Sequence, residues 1–360
     1  MKETLKKIQG TAQRVLSSIE HQEAPVLTFP IRSLSNVEYN EKEGYFKILN
    51  KVKERKLTAN TIKTFAQTLL LMNESKKIIE TDDIMTKREA YYVSKNWGDA
   101  KFNEQPESDA VMDDIEAMMR TQREQIGFIP EEDGGAVAGA ITIIEKDPET
   151  GEDIEIDCTK FASGAYNIPN QVEGLKFKTN AKFVLAIETA GMFQRLVKHK
   201  YWKSANCILV SLKGVPSRAT RRFIRKLADE NKLDVFVFTD GDPYGYLNIY
   251  RTLKVGSGNA AHINEFFCVP NAKFIGVTPQ DIIDYKLPTH PLKDIDIKRL
   301  KDGMKNDPFV KHHKEWEKAL KQMATLKKRA EQQAFASHDL NYVISTYLPD
   351  KLKDHSKWLP

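Results

Sequence analysis

The sequence predicts an α/β chain, α+β taken as a whole. A helix-rich first part with a β-hairpin precedes a mainly parallel sheet with crossover helices. Three observations carry this. After residue 178, short apolar runs at 182–187, 207–212, 234–238 and 273–277 alternate with helical patterns, the signature of a parallel sheet. Between 81 and 144, two helical patterns are followed by a Gly-rich turn and an apolar run. Two of the later strands end on acids, one on Glu188 and the other on Asp240 and Asp242.

Taken in order, residues 1–20 set Lys among Leu, Ile and Val at helical spacing and read as a basic amphipathic helix. Pro25 and Pro30 enforce an extended stretch, strand-like alternation follows at 39–49, and 58–72 is a helix capped by Thr58 or Asn60. Thr86 and Glu89 have capping-box spacing, so a helix starts there and runs through Ala90, Tyr91, Tyr92 and Val93. The segment 109–125 is a second helix whose Met112, Ile115, Met118 and Met119 form a core stripe. A hairpin-like turn at 126–135 leads into 136–144 as a strand pair or wing, and helix, helix, hairpin is the order of a winged-helix domain. The acidic stretch 147–157 reads as an exposed turn near a domain boundary. Ser217 opens a helix to about 228, a helix follows the acids near 246–255, and Thr278-Pro279 caps another. Residues 300–333 read as one or two long surface helices. The resulting division is an extension (1–72), a winged-helix domain (73–150), a linker (151–178) and the parallel-sheet domain with its C-terminal helices (179–360).

Size and composition bound the function classes. The chain has 360 residues, 41% hydrophobic and 29% charged, enough for a sizeable core. Its three cysteines are far apart and its eight histidines form no ligand set, which argues against disulfides and zinc. No signal peptide opens the chain and the longest apolar run, 136–144, is too short to span a bilayer, so a soluble cytoplasmic protein is expected. There is neither a GxxxxGK[ST] loop nor a GxGxxG fingerprint, so no nucleotide site of either kind is expected.

The acids carry the first chemical signal. Asp240 and Asp242 leave a strand at i and i+2 and can face one way; if the strand of Glu188 is their neighbour, three carboxylates converge at the sheet's carboxyl edge. Such a set suits Mg²⁺, which takes a few carboxylates, keeps waters and accepts phosphate oxygens. Taken singly, each acid is equally a solvated turn. Net charge is only +5, yet 189–227 holds no acid and ten Lys or Arg, among them Lys213, Arg218, Arg221 and Arg222. That block suggests a phosphate backbone beside the metal, or simply a solvated helix face. Arg88 and Tyr92, four apart on one helix, share a face: a guanidinium there favours the phenolate and can hold a phosphate under attack. The alternative is a plain aromatic pair at a helix edge.

The set of acids resembles the Toprim domain. The order KREAYY, IETAGMFQRL, LKGVPSRATRRFIRKL, VFVFTDGDPYGYLNIYRTLK and KKRAEQQAF…YLPDKL resembles the A subunit of DNA topoisomerase VI, the family shared with the meiotic double-strand-break transesterase. The resemblance covers essentially the whole chain. It implies a winged-helix domain of the catabolite-activator type followed by Toprim. It implies that Tyr92 attacks a DNA phosphodiester to form a reversible 5′-phosphotyrosyl link, with Arg88 on its helix and Glu188, Asp240 and Asp242 holding Mg²⁺. It further implies a homodimer that cuts both strands of a duplex, one protomer's tyrosine working with the other's metal site. ATP would bind a GHKL-type B subunit in an A2B2 heterotetramer that passes strands and relaxes supercoils. Residues 1–20 become a candidate docking element for that partner, and the place of work the nucleoid. Three other readings remain: a stand-alone break-making transesterase, a Toprim nuclease or primase without a covalent intermediate, and a non-catalytic DNA-binding scaffold.

Overall fold

The computed structural model describes residues 2–130, 134–162 and 164–360; residues 131–133 of the expected turn, Met1 and Ser163 lie outside the described residues. The chain forms two compact units, one of Met1–Glu38, Phe46–Glu132 and Ser257–Phe266, the other of Tyr39–Tyr45, Asp133–Gly256 and Phe267–Pro360.

The first unit begins with α1 (Lys2–Glu20), then β1 (Val26–Pro30) antiparallel to β2 (Val52–Lys56), then α2 (Ile62–Thr81). The short β3 (Met85–Thr86), parallel to β4 (Phe128–Ile129), leads directly into α3 (Lys87–Val93), and α4 (Gln105–Met119) follows. The expected methionine stripe is core: Met112, Ile115 and Met119 are buried with Ile8, Leu71 and Phe128. Two elements differ from expectation. α2 starts at Ile62, because Thr61 turns its hydroxyl back to accept from the Thr58 amide at 3.0 Å, and it then runs on to Thr81. α4 stops at Met119, where Arg120 takes a left-handed conformation (φ 46°) that ends the ladder, and 123–126 become a separate 3-10 turn. The β1–β2 pair is tied to α4 by charge: Arg32, Lys53 and Arg55 reach the buried carboxylate of Asp114 at 3.1, 3.1 and 2.9 Å.

The second unit is built on a six-stranded sheet. Its strands are β5 (Ala136–Gly139), β8 (Tyr166–Asn167), β10 (Phe183–Ile187), β11 (Cys207–Ser211), β12 (Asp234–Phe238) and β13 (Lys273–Gly276), in the spatial order β8-β5-β11-β10-β12-β13. The four from β10 onward are mutually parallel, and β10 lies directly beside β12. Their residues are buried almost throughout, as a sheet covered on both faces requires. The crossover helices are α5 (Ala190–Lys198), the short α6 (Tyr201–Ala205) and α7 (Arg218–Asn231).

The expected wing is a correction. Residues 136–139 instead form β5, antiparallel to β11 in this sheet, and β6 (Ile141–Lys146) pairs with β7 (Asp153–Asp157) and β9 (Lys176–Thr179) in a separate three-stranded sheet. Small residues decide it: a Cβ on Gly135 would stand 2.0 Å from the Ser211 carbonyl oxygen, so only glycine lets the chain lie this close to β11. The stretch expected as a linker, 151–178, thus carries paired strands, and the acidic 147–152 is the exposed turn between β6 and β7. Residues 300–333 are also more than surface helix. The helix Lys314–Leu326 ends where Lys327 turns left-handed (φ 53°), and the chain then runs inward as strand Lys328–Arg329 and a 3-10 helix, Gln332–Ser337. Among the described residues, no helix is long and apolar enough to cross a membrane.

Candidate active site

Because β10 and β12 are parallel neighbours in register, Ile187 opposite Phe238, the residues that follow them meet at one edge of the sheet. Glu188 donates its amide to the Phe238 carbonyl at 3.0 Å and accepts the Asp240 amide on Oε2 at 2.8 Å. Asp242 then accepts the Gly245 amide at 2.7 Å, starting the π-helical turn Gly245–Tyr250. Glycine is required at that turn, since a Cβ on Gly245 would lie 2.5 Å from the Asp240 carbonyl oxygen. The three expected acids are brought together.

What the sequence reading missed is the arm that closes over them. Ala330 exchanges backbone hydrogen bonds with Gly241 (2.8 and 3.3 Å). Gln332, fully buried, donates its amide to Asp240 Oδ1 (2.8 Å) and its side-chain Nε2 to the Phe238 carbonyl (2.8 Å). Its Oε1 accepts from the Thr189 hydroxyl at 2.7 Å. One glutamine therefore ties together the ends of both acid-bearing strands. Arg329 brings a cation to 3.6 Å from Asp242, and among the described residues its buried Nε–H has no hydrogen-bond partner. Glu331 adds a fourth negative charge that acts on Glu188 and Asp240. The string KKRAEQQAF contains all of these, but nothing in its local pattern points ninety residues back to a strand end.

Electrostatics follows from the crowding. Burial, and then the Asp240 charge, push Glu188 up to about 8; burial, opposed by the Gln332 amide, pushes Asp240 up to about 6. Among the described residues, no three His, Cys, Asp or Glu side chains stand as a ready-made cage. The donor set nonetheless fits Mg²⁺. It is all carboxylate oxygen, its buried negative charge exceeds what Arg329 balances, and Mg²⁺ needs only one or two protein carboxylates.

The basic block is sorted by the fold. Lys213 stands beside the acids, where Gly214 donates its amide to the Glu188 carbonyl at 3.1 Å; the Lys213 Nζ donates to the Gly134 carbonyl at 3.1 Å. On α7, Arg218 and Arg221 lie over the Phe267 ring at 4.6 and 5.4 Å, and Arg222 pairs with Glu173 (one contact at 2.9 Å). These three arginines bind neighbouring segments of their own unit.

Tyr92 and Arg88 belong to the first unit. Thr86 caps α3 with the full expected capping box: its hydroxyl accepts the Glu89 amide (3.1 Å), and the Glu89 carboxylate accepts the Thr86 amide (2.7 Å). Ala90 is the buried anchor of the helix. The two tyrosines then part company. Tyr91 donates its hydroxyl to the Asn103 carbonyl and offers its ring to Lys95, whose Nζ is 3.9 Å from the centroid. Tyr92 is 55% exposed, with the Arg88 guanidinium 6.0 Å from its ring centroid.

Comparison with known proteins agrees along the whole chain. Residues 183–352 match the family model for the Toprim domain of the topoisomerase 6 A subunit and Spo11. Residues 131–181 match the "All-beta domain in DNA topoisomerase VI alpha subunit", and 63–128 match "Type IIB DNA topoisomerase". The chain is 57% identical over 354 residues to the type 2 DNA topoisomerase 6 A subunit of Methanocaldococcus jannaschii, covering 98% of this chain and 95% of that one. The proteins of the same name from Methanothermobacter thermautotrophicus and Archaeoglobus fulgidus are 38% and 36% identical, each over 97% of both chains. With its Toprim domain built on a mainly parallel sheet, the chain belongs to the family of DNA topoisomerase VI A subunits, which are type IIB topoisomerases.

Proposed function

We propose that Tyr92 is the nucleophile of a reversible DNA transesterification and that Glu188, Asp240 and Asp242 hold the Mg²⁺ that serves it. The observation that carries this is the division of labour between the units. An exposed tyrosine beside a guanidinium has no acid cluster on its helix, and the buried acids have no nucleophile among them. The Tyr92 oxygen attacks the phosphorus, the new O–P bond links the protein to a 5′ phosphate, and the 3′ oxygen leaves and takes up a proton. Religation is the reverse and conserves the bond energy, so it needs no ATP for chemistry. Arg88, on the same helix and 6.0 Å from the Tyr92 ring centroid, is placed to hold the phosphate under attack. Arg329 sets a cation beside Asp242, and Gln332 holds both strand ends still while the reaction runs. When bound, Mg²⁺ supplies charge stabilisation to the phosphate and the leaving oxygen.

Two copies of the chain cut the two strands of a duplex, each tyrosine working with the partner's acids. ATP belongs to a GHKL-type B subunit, in an A2B2 assembly that passes a second duplex through the break and works on the cytoplasmic nucleoid. Its docking face on this chain is the outer side of α1, where Leu16 and Ile19 are 48% and 54% exposed while Ile8 and Val15 are buried on the inner side.

Denaturant trapping of covalent protein–DNA complexes tests the reading, with Mg²⁺ and end-labelled duplex, with and without a GHKL partner and ATP. The expected product is a 5′-linked adduct, absent in Tyr92→Phe and in Asp240→Ala, whose yield depends on the partner. DNA cut without an adduct, and still cut by Tyr92→Phe, means hydrolysis and overturns it. Adducts indifferent to any partner favour a stand-alone breaker.

A further inference from the structure

We infer that the amino edge of the parallel sheet, opposite the carboxylates, is a second contact surface for the phosphate backbone of duplex DNA. It rests on the reading of the chain as a DNA-handling protein, but on different residues. α5 starts at the carboxyl edge and runs back, so Lys198 at its end, Lys200, Lys203 on α6, and Lys182 just before β10 all gather where β10 and β11 begin. The junction is closed by the Lys182 amide on the Asn206 carbonyl (2.8 Å) and the Asn206 side chain on the Asn180 carbonyl (3.0 Å). All four lysines are exposed, and among the described residues no carboxylate pairs with any of them. Asp234, which opens β12 opposite Phe183, marks where this edge ceases to be basic.

The contrast with α7 gives the cluster its meaning. There the cations are used internally: Arg222 on Glu173, Arg225 on Asp229 and the Cys268 carbonyl, Lys226 on the carbonyls of Glu173 and Leu175. Among the described residues, the lysines of the amino edge have no such use. Beside them opens a groove of about 600 Å³, lined by Thr142, Thr159, Asn180, Trp202, Lys203 and Asn206. The Thr142 hydroxyl and the Asn180 amide of this groove, next to ammonium groups, are the kind of donor that contacts a phosphate backbone. Asp157, also on the groove, is occupied by Thr159 and Lys160. Strands of five residues put about 17 Å between the two edges, so the duplex segment cut at the acids is not the one resting here. The amino edge takes a more distant arm of that duplex or a second duplex.

The test compares the unmodified chain with a fourfold Lys→Ala variant at 182, 198, 200 and 203, and with the fourfold Lys→Arg variant. Binding to a long and to a short duplex is measured as a function of salt, with adduct formation on the short duplex as the second readout. Removing one phosphate-bound lysine lowers the slope of log K against log [salt] by about 0.9, so the Ala variant should lose up to about 3–4 in slope on the long duplex. Short-duplex binding and adduct yield should stay as in the unmodified chain, melting temperature should be unchanged, and the Arg variant should bind normally. An unchanged slope on the long duplex overturns the proposal. So does an equal loss on the short duplex, which would put these lysines on the cleaved segment. So does displacement by polyglutamate with no change toward DNA, which would make the edge a site for an acidic protein. If no adduct forms with any chain, the transesterase reading fails, while the slope still reports on this edge.

Discussion

At the scale of single residues, the site is governed by charge held against its preference. Glu188 and Asp240 lie above the ordinary carboxylate range because burial, and then neighbouring carboxylates, disfavour their ionised forms. A carboxylate raised in the folded state binds more protons folded than unfolded between its two pKa values, so stability falls as pH rises through that interval. The metal-free chain should therefore lose melting temperature from about pH 4.5 towards pH 8, the window set by Glu188. Mg²⁺ competes with the same protons, so its affinity should rise with pH across that window and its addition should flatten the fall. Glu188→Gln should remove most of both effects in a thermal-shift titration; a Gln variant with the same pH profile would show that the shift resides elsewhere. Gln332→Ala leaves the Phe238 carbonyl and the Thr189 hydroxyl without their buried partner, a cost of roughly 2–3 kcal/mol. Denaturant unfolding should report that loss together with weaker Mg²⁺ binding. Weaker metal binding at unchanged stability would instead argue for a direct ligand role.

At the scale of elements, caps and strand ends decide where each reactive side chain stands. α3 is only seven residues long, too short to hold itself, and its start is enforced by Thr86 and Glu89. Thr86→Ala should cost about 1 kcal/mol, measured by chemical denaturation. It should also reduce adduct yield more than it reduces DNA binding, since Tyr92 loses its fixed helix. A fall in both by the same factor would show that the cap matters only for folding. The strand ends are legible in sequence because apolar runs stop abruptly at polar turns: 182–187 before Glu188, 235–238 before Thr239-Asp240. Ser217 and Thr278 are legible as caps for the same local reason, and both accept the backbone amide three residues on. The wing is not legible. Small apolar residues alternate poorly, and whether Ala136–Gly139 closes a hairpin or inserts beside β11 depends on a partner some seventy residues away.

At the scale of the whole molecule, Tyr92 and the three acids fall in separate compact units of one chain. If each active site is made by two protomers, a mixture of Tyr92→Phe and Asp240→Ala chains should regain activity that neither has alone. The mixed dimer then contains one complete pairing, the intact tyrosine of one chain with the intact acids of the other, and should nick a duplex. Absence of any nick in verified mixed dimers would place tyrosine and metal in the same protomer. Strand-resolved trapping on a labelled duplex reads the result directly.

The sequence by itself determined the parallel sheet, the two acid-bearing strand ends, the capped helix of Tyr92, the methionine core and the family. The first four are written in local periodicity or in caps that act across three or four residues, and the family in the order of its motifs along the chain. Tertiary structure alone decided the rest. It brought Arg329, Glu331 and Gln332 onto the acids, used the α7 cations as internal ties while giving the amino-edge lysines no acidic partner among the described residues, and moved the expected wing into the sheet. The physical reason is common to all three. Charge and small size can be read from a residue's identity, but the partner that consumes a charge or fills the space beside a glycine is chosen by packing between distant segments.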